Sequence, residues 1–100
     1  MDDDNWTALH LAAYYGKEAV AAQLLQAKAS VTAVNNNGWT PLHVAAANGE
    51  AQVVDLLLQA KASPTAVNKS GFIPAQRAEQ DVHTDLAARL RQAEQAPSSM

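Results

Sequence analysis

Apolar and polar positions follow one another along the chain with the spacing of amphipathic helices. In residues 50–60, EAQVVDLLLQA, five apolar residues between Val53 and Leu58 form one broad stripe, which is typical of a helix that buries one face. The preceding segment 42–49, LHVAAANG, is long enough for about two helical turns. It ends at Gly49, a residue suited to a left-handed helix terminus. The pattern therefore predicts a pair of short helices.

Cap and turn residues mark the limits of this helix pair. Thr40 offers its hydroxyl as an N-cap, and Pro41 suits the first helical position because its missing N–H is not needed there. After the second helix, residues 68–71, NKSG, have the chemistry of a tight turn, with Asn early and Gly free to take positive φ. The unit therefore reads as helix, turn, helix and loop.

The whole unit recurs with a period of 33 residues. Residues 5–37 and 38–70 are identical at more than half of their positions, and a third, degenerate copy begins at Gly71. A fixed period of this length predicts stacked units. One domain is predicted, at 1–96, with repeats at about 2–34, 35–67 and 68–95 and a disordered tail at 97–100.

These residues resemble the ankyrin repeat. Residues 38–49, GWTPLHVAAANG, contain the T-P-L-H-x-A signature, and the period of 33 is the family's own. The resemblance covers about residues 2–95. It implies an all-α solenoid of stacked helix-turn-helix units with β-hairpin-like finger loops, in which the fingers and first helices form a concave face. It also implies a non-catalytic scaffold that binds proteins.

The ends of the second helices depart from the family pattern. Lys28 and Lys61 stand where the family has glycine. A left-handed lysine costs roughly 1 kcal/mol, so either these helices end differently or both sites are mildly strained. In the finger turn, Asn5 stands where Gly38 and Gly71 stand, and Asn is the non-glycine residue that best tolerates positive φ.

The third copy has the sequence of a terminal unit. Two leucines of the second copy become Arg89 and Arg91, and a terminal repeat must turn a polar face to water. Residues 71–95 are therefore predicted to form a C-terminal cap. Three apolar residues at helical spacing are predicted to pack inward: Val82, Leu86 and Leu90.

The first copy has a more polar second helix than the second copy. Gln23 stands where the second copy has Leu56, and Ala21 and Ala22 dilute the apolar stripe. This polar second helix fits either of two interpretations: an adaptation of the first repeat to cap the stack, or a repeat that packs on preceding repeats not included in this chain. The sequence leaves both open.

Composition excludes several classes of function. The net charge of −3 disfavours nucleic acid as a partner, and the lack of cysteine excludes disulfide scaffolds and thiolate metal sites. No apolar run approaches the roughly 18 residues of a membrane span. The opening MDDDNW lacks the features of a signal peptide. A cytoplasmic location is the default expectation, with secretion after signal removal as the open alternative.

The histidines and acidic residues do not make a catalytic or metal site. His10 and His43 lie one repeat apart, roughly 10 Å in a stack of helices, which is too far to share a metal ion. Their predicted role is structural, with bonds to neighbouring backbone and to the cap threonine. His83 is predicted to be a solvated surface residue, and the acidic run 2–4 lacks the later glutamate of a calcium loop.

No serine or cysteine nucleophile with an ordered base is recognisable, nor is a glycine-rich phosphate loop. We therefore expect no catalytic residue, no metal and no cofactor. The residues predicted to hold the repeats together are Thr7, His10, Gly16, Thr40, Pro41, His43, Gly49 and Gly71.

Aromatic side chains are the strongest candidates for a binding surface. Trp6, Trp39 and Phe72 occupy the same finger position in the three copies. The resemblance places this position on the concave face, and tryptophan is enriched in binding hot spots. The resemblance also implies a second role, because aromatic rings at this position in the family can pack between adjacent fingers. A structural role and direct contact are therefore both open, and the two are compatible.

The two tyrosines have no counterpart in the second copy. Tyr14 and Tyr15 precede Gly16, whereas the equivalent positions hold Ala47 and Asn48. Because the repeat does not need aromatic rings at these positions, the presence of the tyrosines indicates a role in binding. Their rigid, amphipathic side chains suit such a role.

Polar finger tips complete the predicted face. Their charge changes from acidic to neutral to basic along the stack, which would set the orientation of a partner. The predicted partner-binding residues are Asp3, Asp4, Trp6, Tyr14, Tyr15, Asn36, Asn37, Trp39, Ala47, Asn48, Lys69 and Phe72.

The sequence thus favours a protein–protein interaction module that is monomeric alone and binds a protein or peptide through its concave face. The alternative is a structural or self-associating part of a longer ankyrin array attached to an effector or catalytic domain. Neither a nucleic acid nor a membrane is predicted as a partner.

Overall fold

The described part of the chain includes two helix pairs and, nearer the C-terminus, one longer helix. The computed structural model describes residues 5–74, 76 and 83–95, and only the backbone of residues 84, 85 and 95. Its helices are α1 (Ala8–Tyr15), α2 (Glu18–Gln26), α3 (Pro41–Ala47), α4 (Ala51–Gln59) and α5 (Thr84–Gln95). No β-strand occurs in these residues, and the predicted all-α fold class is confirmed. Helix α3 packs on α1, and α4 packs on α2.

The first helix of each pair begins with the same capping box. The hydroxyl of Thr7 accepts a hydrogen bond from the backbone N–H of His10, and the N–H of Thr7 donates to Nδ1 of the same histidine, both at 3.2 Å. Thr40 and His43 repeat these bonds at the start of α3, where Pro41 is the first residue. Two orphan donors at each helix N-terminus are thereby satisfied.

A residue in the left-handed conformation closely follows each of the first four helices. These residues are Gly16 (φ 64°), Lys28 (φ 71°), Gly49 (φ 70°) and Lys61 (φ 75°). In each case the backbone N–H of the left-handed residue and that of the following residue donate hydrogen bonds to carbonyls of the last helical turn. The N–H of Lys61 donates to the carbonyl of Leu58 at 3.0 Å, and the N–H of Ala62 donates to the carbonyl of Leu57 at 2.9 Å. Of the two predicted alternatives, a different helix end or a strained lysine, the structure therefore shows the strained lysine at both sites. Each lysine occupies the position in a Schellman motif that glycine usually takes.

Each described finger is a tight turn closed by an asparagine side chain. Oδ1 of Asn35 accepts from the backbone N–H groups of Asn37 at 2.9 Å and Trp39 at 3.0 Å, and Asn68 makes the same bonds in the next finger. The finger residues Asn5, Gly38 and Gly71 have positive φ, as predicted for this position. The fingers are thus hairpin-like in their turn geometry without forming strands.

The two successive fingers lie against each other. The backbone N–H of Lys69 donates to the carbonyl of Asn37 at 3.0 Å. A Cβ added to Gly38 would lie 2.9 Å from the same nitrogen of Lys69, so this close approach requires glycine. The fingers therefore stack with the period of the helices.

Aliphatic side chains form the core between the helix pairs. Leu9, Leu42 and Leu57 are fully buried. Leu86 and Leu90 of α5 are also buried, as predicted for a C-terminal cap, whereas Val82 lies outside the described residues. None of the described helices is long and apolar enough to cross a membrane.

Candidate functional site

The first helix of each pair is bonded to the finger of the next unit through a histidine. Nε2 of His10 donates to the carbonyl oxygen of Trp39 at 2.7 Å, and Nε2 of His43 donates to that of Phe72 at 2.7 Å. Both histidines are fully buried. The backbone of each finger aromatic is therefore positioned by the preceding helix.

The partners of His10 define its protonation. Nδ1 accepts from Thr7, whereas Nε2 faces a carbonyl oxygen, which can only accept, so the proton resides on Nε2. Burial lowers the pKa of His10 below its ordinary value of 6.5, and the bond to the Trp39 carbonyl acts in the opposite direction. Since both ring nitrogens are engaged, His10 has no nitrogen left for a metal ion.

The aromatic residues of the first unit form one cluster. Trp6 and Tyr14 contact edge to face with ring centroids 5.8 Å apart, and Tyr14 contacts Tyr15 in the same way at 4.9 Å. Both tyrosines are exposed, by 45% and 64%, while Trp6 and Trp39 are partly buried against the core. The tryptophans therefore contribute to core packing and are partly exposed, and the tyrosines are more exposed than the tryptophans.

A groove of about 710 Å³ lies between the fingers and the first helices. Six of the predicted partner-binding residues line it: Trp6, Tyr14, Asn37, Trp39, Ala47 and Asn48. Four others lie outside its walls: Tyr15, Asn36, Lys69 and Phe72. The remaining two, Asp3 and Asp4, lie outside the described residues. The groove thus brings together half of the predicted set.

Asn48 has a structural contact besides its place in the groove wall. Its amide Nδ2 donates to the backbone carbonyl of Tyr14 at 2.9 Å. This bond joins the end of α3 to the end of α1, next to the aromatic cluster. Asn48 of the second unit therefore helps to fix the tyrosine-bearing end of α1.

Two charged or titratable residues of the groove were not predicted as site residues. Glu50 and His83 both line it, and both side chains lie over a glycine of the preceding unit. A Cβ added to Gly16 would meet the carboxyl group of Glu50, and one added to Gly49 would lie 2.7 Å from the His83 ring. The prediction that His83 is a solvated surface histidine is therefore wrong, because its ring is partly buried against Gly49.

The sequence contains the signal that would have found these two residues. Lys17, Glu50 and His83 are spaced by the repeat period, and each follows the end of a first helix. In a stacked array these positions form one column, and two of its three members, Glu50 and His83, line the groove. The degenerate third copy obscured it, because the glycine before His83 is replaced by valine.

The described finger tips are exposed, as expected of turn residues. Asn36 and Asn37 form one tip, and Lys69 and Ser70 form the next. Among the residues that the structure describes, no group of three histidine, aspartate or glutamate side chains is arranged to hold a metal ion. The groove wall therefore offers aromatic contact, amide hydrogen bonding, the carboxylate of Glu50 and the imidazole of His83.

Comparison with known proteins identifies the family. The family described as ankyrin repeats (3 copies) matches residues 1–68. No curated protein sequence matches the chain significantly. The family match covers more than half of the chain and agrees with the stacked helix pairs, capping boxes and finger turns described above. The chain belongs to the ankyrin-repeat family.

Proposed function

We propose that this chain binds a protein or peptide through the concave groove between its fingers and first helices. Ankyrin repeats generally mediate protein–protein interaction, and the family is typically non-catalytic. One observation supports the groove as the site. Three aromatic residues, Trp6, Tyr14 and Trp39, lie in the wall of a single groove, and Tyr15 contacts Tyr14 beside it.

The aromatic composition of the groove suits protein recognition. Tryptophan and tyrosine supply large contact area with few rotatable bonds, and they dominate the energetics of protein interfaces. The buried core is aliphatic among the described residues. The aromatic residues are therefore concentrated at this surface beyond what packing of the helices requires.

The groove is also rigid enough to bind without large rearrangement. The backbone of Trp39 is held by the buried His10 ring and by the Asn35 side chain. A site whose walls are already positioned loses less conformational entropy on binding. The area is small, so a small interface of moderate affinity is expected.

Affinity capture with matched variants tests this proposal. The parent chain, Trp39→Ala, Tyr15→Ala and the control Val67→Ala are immobilised and exposed to lysate of the source cells. Val67 is a suitable control because it is 61% exposed and lies outside the groove. We expect proteins captured by the parent and the Val67 variant to be lost from the Trp39 and Tyr15 variants, all four retaining equal helicity. Equal capture by all four chains would contradict the groove as the site.

A second candidate function, self-association, is favoured by a specific feature of the first unit. Leu11 and Val20 are 43% and 46% exposed. Their equivalents one period later, Val44 and Val53, are both only 1% exposed because they pack on the first unit. The first unit therefore exposes two apolar residues at positions that are buried in the second unit.

A second copy of the chain is the occupant proposed for the face of the first unit around Leu11 and Val20. The exposed side chains of α5 include Arg89 and Gln92, which do not complement an apolar surface. Two copies would therefore associate through two equivalent first-unit faces, as in a two-fold dimer. Light scattering over a concentration series should show a dimer that the Leu11→Glu variant abolishes. A mass that stays monomeric at every concentration would rule this out.

A further inference from the structure

We propose that the groove accepts a cationic side chain, arginine or lysine, from a basic segment of the partner. The cation would lie against the tryptophan rings of the groove wall and pair with the carboxylate of Glu50. This inference rests on the proposed function and adds the chemistry that the groove selects.

The carboxylate of Glu50 is the feature that sets this chemistry. It lies in the groove wall, partly buried, with its Cδ atom 2.7 Å from the position that a Cβ on Gly16 would take. Within the described part of the chain, this carboxylate makes neither a hydrogen bond nor an ion pair. A partly buried carboxylate without a partner favours an opposite charge brought close to it.

The aromatic rings beside Glu50 favour the same occupant. Trp6, Tyr14 and Trp39 line the groove together with it. The faces of indole and phenol rings attract a cation, and this attraction increases when the pair is shielded from water. The rings and the carboxylate therefore both favour a cationic side chain from the partner. They would not both favour an acidic or an aliphatic side chain.

Charge complementarity extends beyond the groove. No lysine or arginine is among the described residues that line it, and the whole chain carries a net charge of −3. An acidic partner segment would be repelled by Glu50. An aliphatic segment would remove water from the carboxylate without replacing it. A basic segment is thus the occupant that the groove fits best.

Tryptophan fluorescence gives a direct test, because the two tryptophans of the chain, Trp6 and Trp39, both line the groove. The probes are the hexapeptides acetyl-(Gly-Arg)₃-amide and acetyl-(Gly-Lys)₃-amide. The comparison peptide is acetyl-(Gly-citrulline)₃-amide, in which each arginine is replaced by its neutral isostere. We expect saturable fluorescence changes with both basic peptides and at least about tenfold weaker binding of the citrulline peptide.

Paired glutamate variants separate local pairing from general attraction. Glu50→Gln keeps the shape of the side chain and should weaken binding of the arginine peptide by about tenfold. Glu18→Gln makes the same change in net charge at an exposed position outside the groove, and should leave binding nearly unchanged. Circular dichroism of both variants checks that the fold is retained.

Each contrary outcome has a defined meaning. Equal weakening by the two glutamate variants would overturn the inference, because it would indicate diffuse attraction to an acidic protein. Failure of the basic peptides to bind would overturn it as well. If the arginine and citrulline peptides bind equally and Trp39→Leu abolishes both, the preference for a cation is wrong while the groove remains a binding site.

Discussion

His10 and Trp39 are joined by a 2.7 Å hydrogen bond between an imidazole nitrogen and a backbone carbonyl, 29 residues apart in the chain. The same histidine also completes the capping box with Thr7. One ring therefore fixes the start of its own helix and the position of the next finger. Stability and the shape of the groove depend on the same buried side chain.

Acid is expected to weaken the fold through His10. Burial lowers its pKa below 6.5, so the folded state favours the neutral ring. The stability that this provides is complete above pH 6.5 and is lost as the pH falls through the lowered pKa of the folded state. Urea denaturation at a series of pH values should show a decline in the free energy of unfolding that begins near pH 6.5.

His10→Gln provides the control for this pH effect. Glutamine is the residue that the third unit has at this position, where Oε1 of Gln76 accepts from the N–H of Ile73 at 2.9 Å. The variant should lose about 1–3 kcal/mol at neutral pH, because the Trp39 carbonyl is left without its donor. The free energy of unfolding of this variant should also decline less steeply below pH 6.5 than that of the parent. The same decline in parent and variant would exclude His10 as its cause.

Replacing the left-handed lysines with glycine should stabilise the protein. Lys28 and Lys61 have φ values of 71° and 75°, where a side chain costs about 1 kcal/mol or more. Glycine removes this cost but increases the entropy of the unfolded chain. Lys61→Gly should therefore raise the free energy of unfolding by up to about 1 kcal/mol. Lys17→Gly, at an exposed site without positive φ, should not stabilise.

Gly49→Ala should destabilise the fold more than Gly71→Ala does. Both glycines have positive φ, at 70° and 85°. A Cβ at Gly49 would also lie 2.7 Å from the His83 ring, whereas nothing lies within 4 Å of one at Gly71. The Gly71 variant should cost about 1–2 kcal/mol from backbone strain alone. Thermal denaturation of both variants, and of Gly49→Ala combined with His83→Ala, should show that the extra loss disappears in the double variant.

The ion pair between α4 and α5 should contribute little to stability. Nη1 of Arg89 lies 3.0 Å from both carboxylate oxygens of Asp55, but the two side chains are 47% and 48% exposed. Exposed pairs of this kind contribute about 0.2–1 kcal/mol. A double-mutant cycle with Asp55→Asn and Arg89→Gln should give a coupling energy in that range. A coupling of several kcal/mol would mean that the pair holds α5 in place.

The sequence predicted the local structure of the repeats well, because that structure depends on near neighbours. The T-P pattern at Thr40 indicates a helix start, and α3 begins there. The positive φ at Asn5 follows from its alignment with Gly38 and Gly71. The sequence identifies the lysines after the second helices as departures from the family pattern, but it does not decide between strain and a different helix end.

Contacts between units were harder to predict, because they depend on how one unit is rotated against the next. The period shows that His10 and Trp39 belong to adjacent units, but not that the ring reaches the carbonyl. For the same reason the side chains of Glu50 and His83 could not be placed over the glycines of the preceding units from periodicity alone. Which of the aromatic residues bind a partner remains a prediction.

The histidine-to-carbonyl bonds also determine where this array can be lengthened. The third unit has Gln76 in place of histidine, and its Oε1 is engaged at the start of its own unit. A fourth unit appended after α5 would have no imidazole to hold its finger. A duplicate of residues 38–70 inserted after Ser70 would instead place a histidine before every finger after the first. Protein engineers should therefore extend this scaffold from its middle.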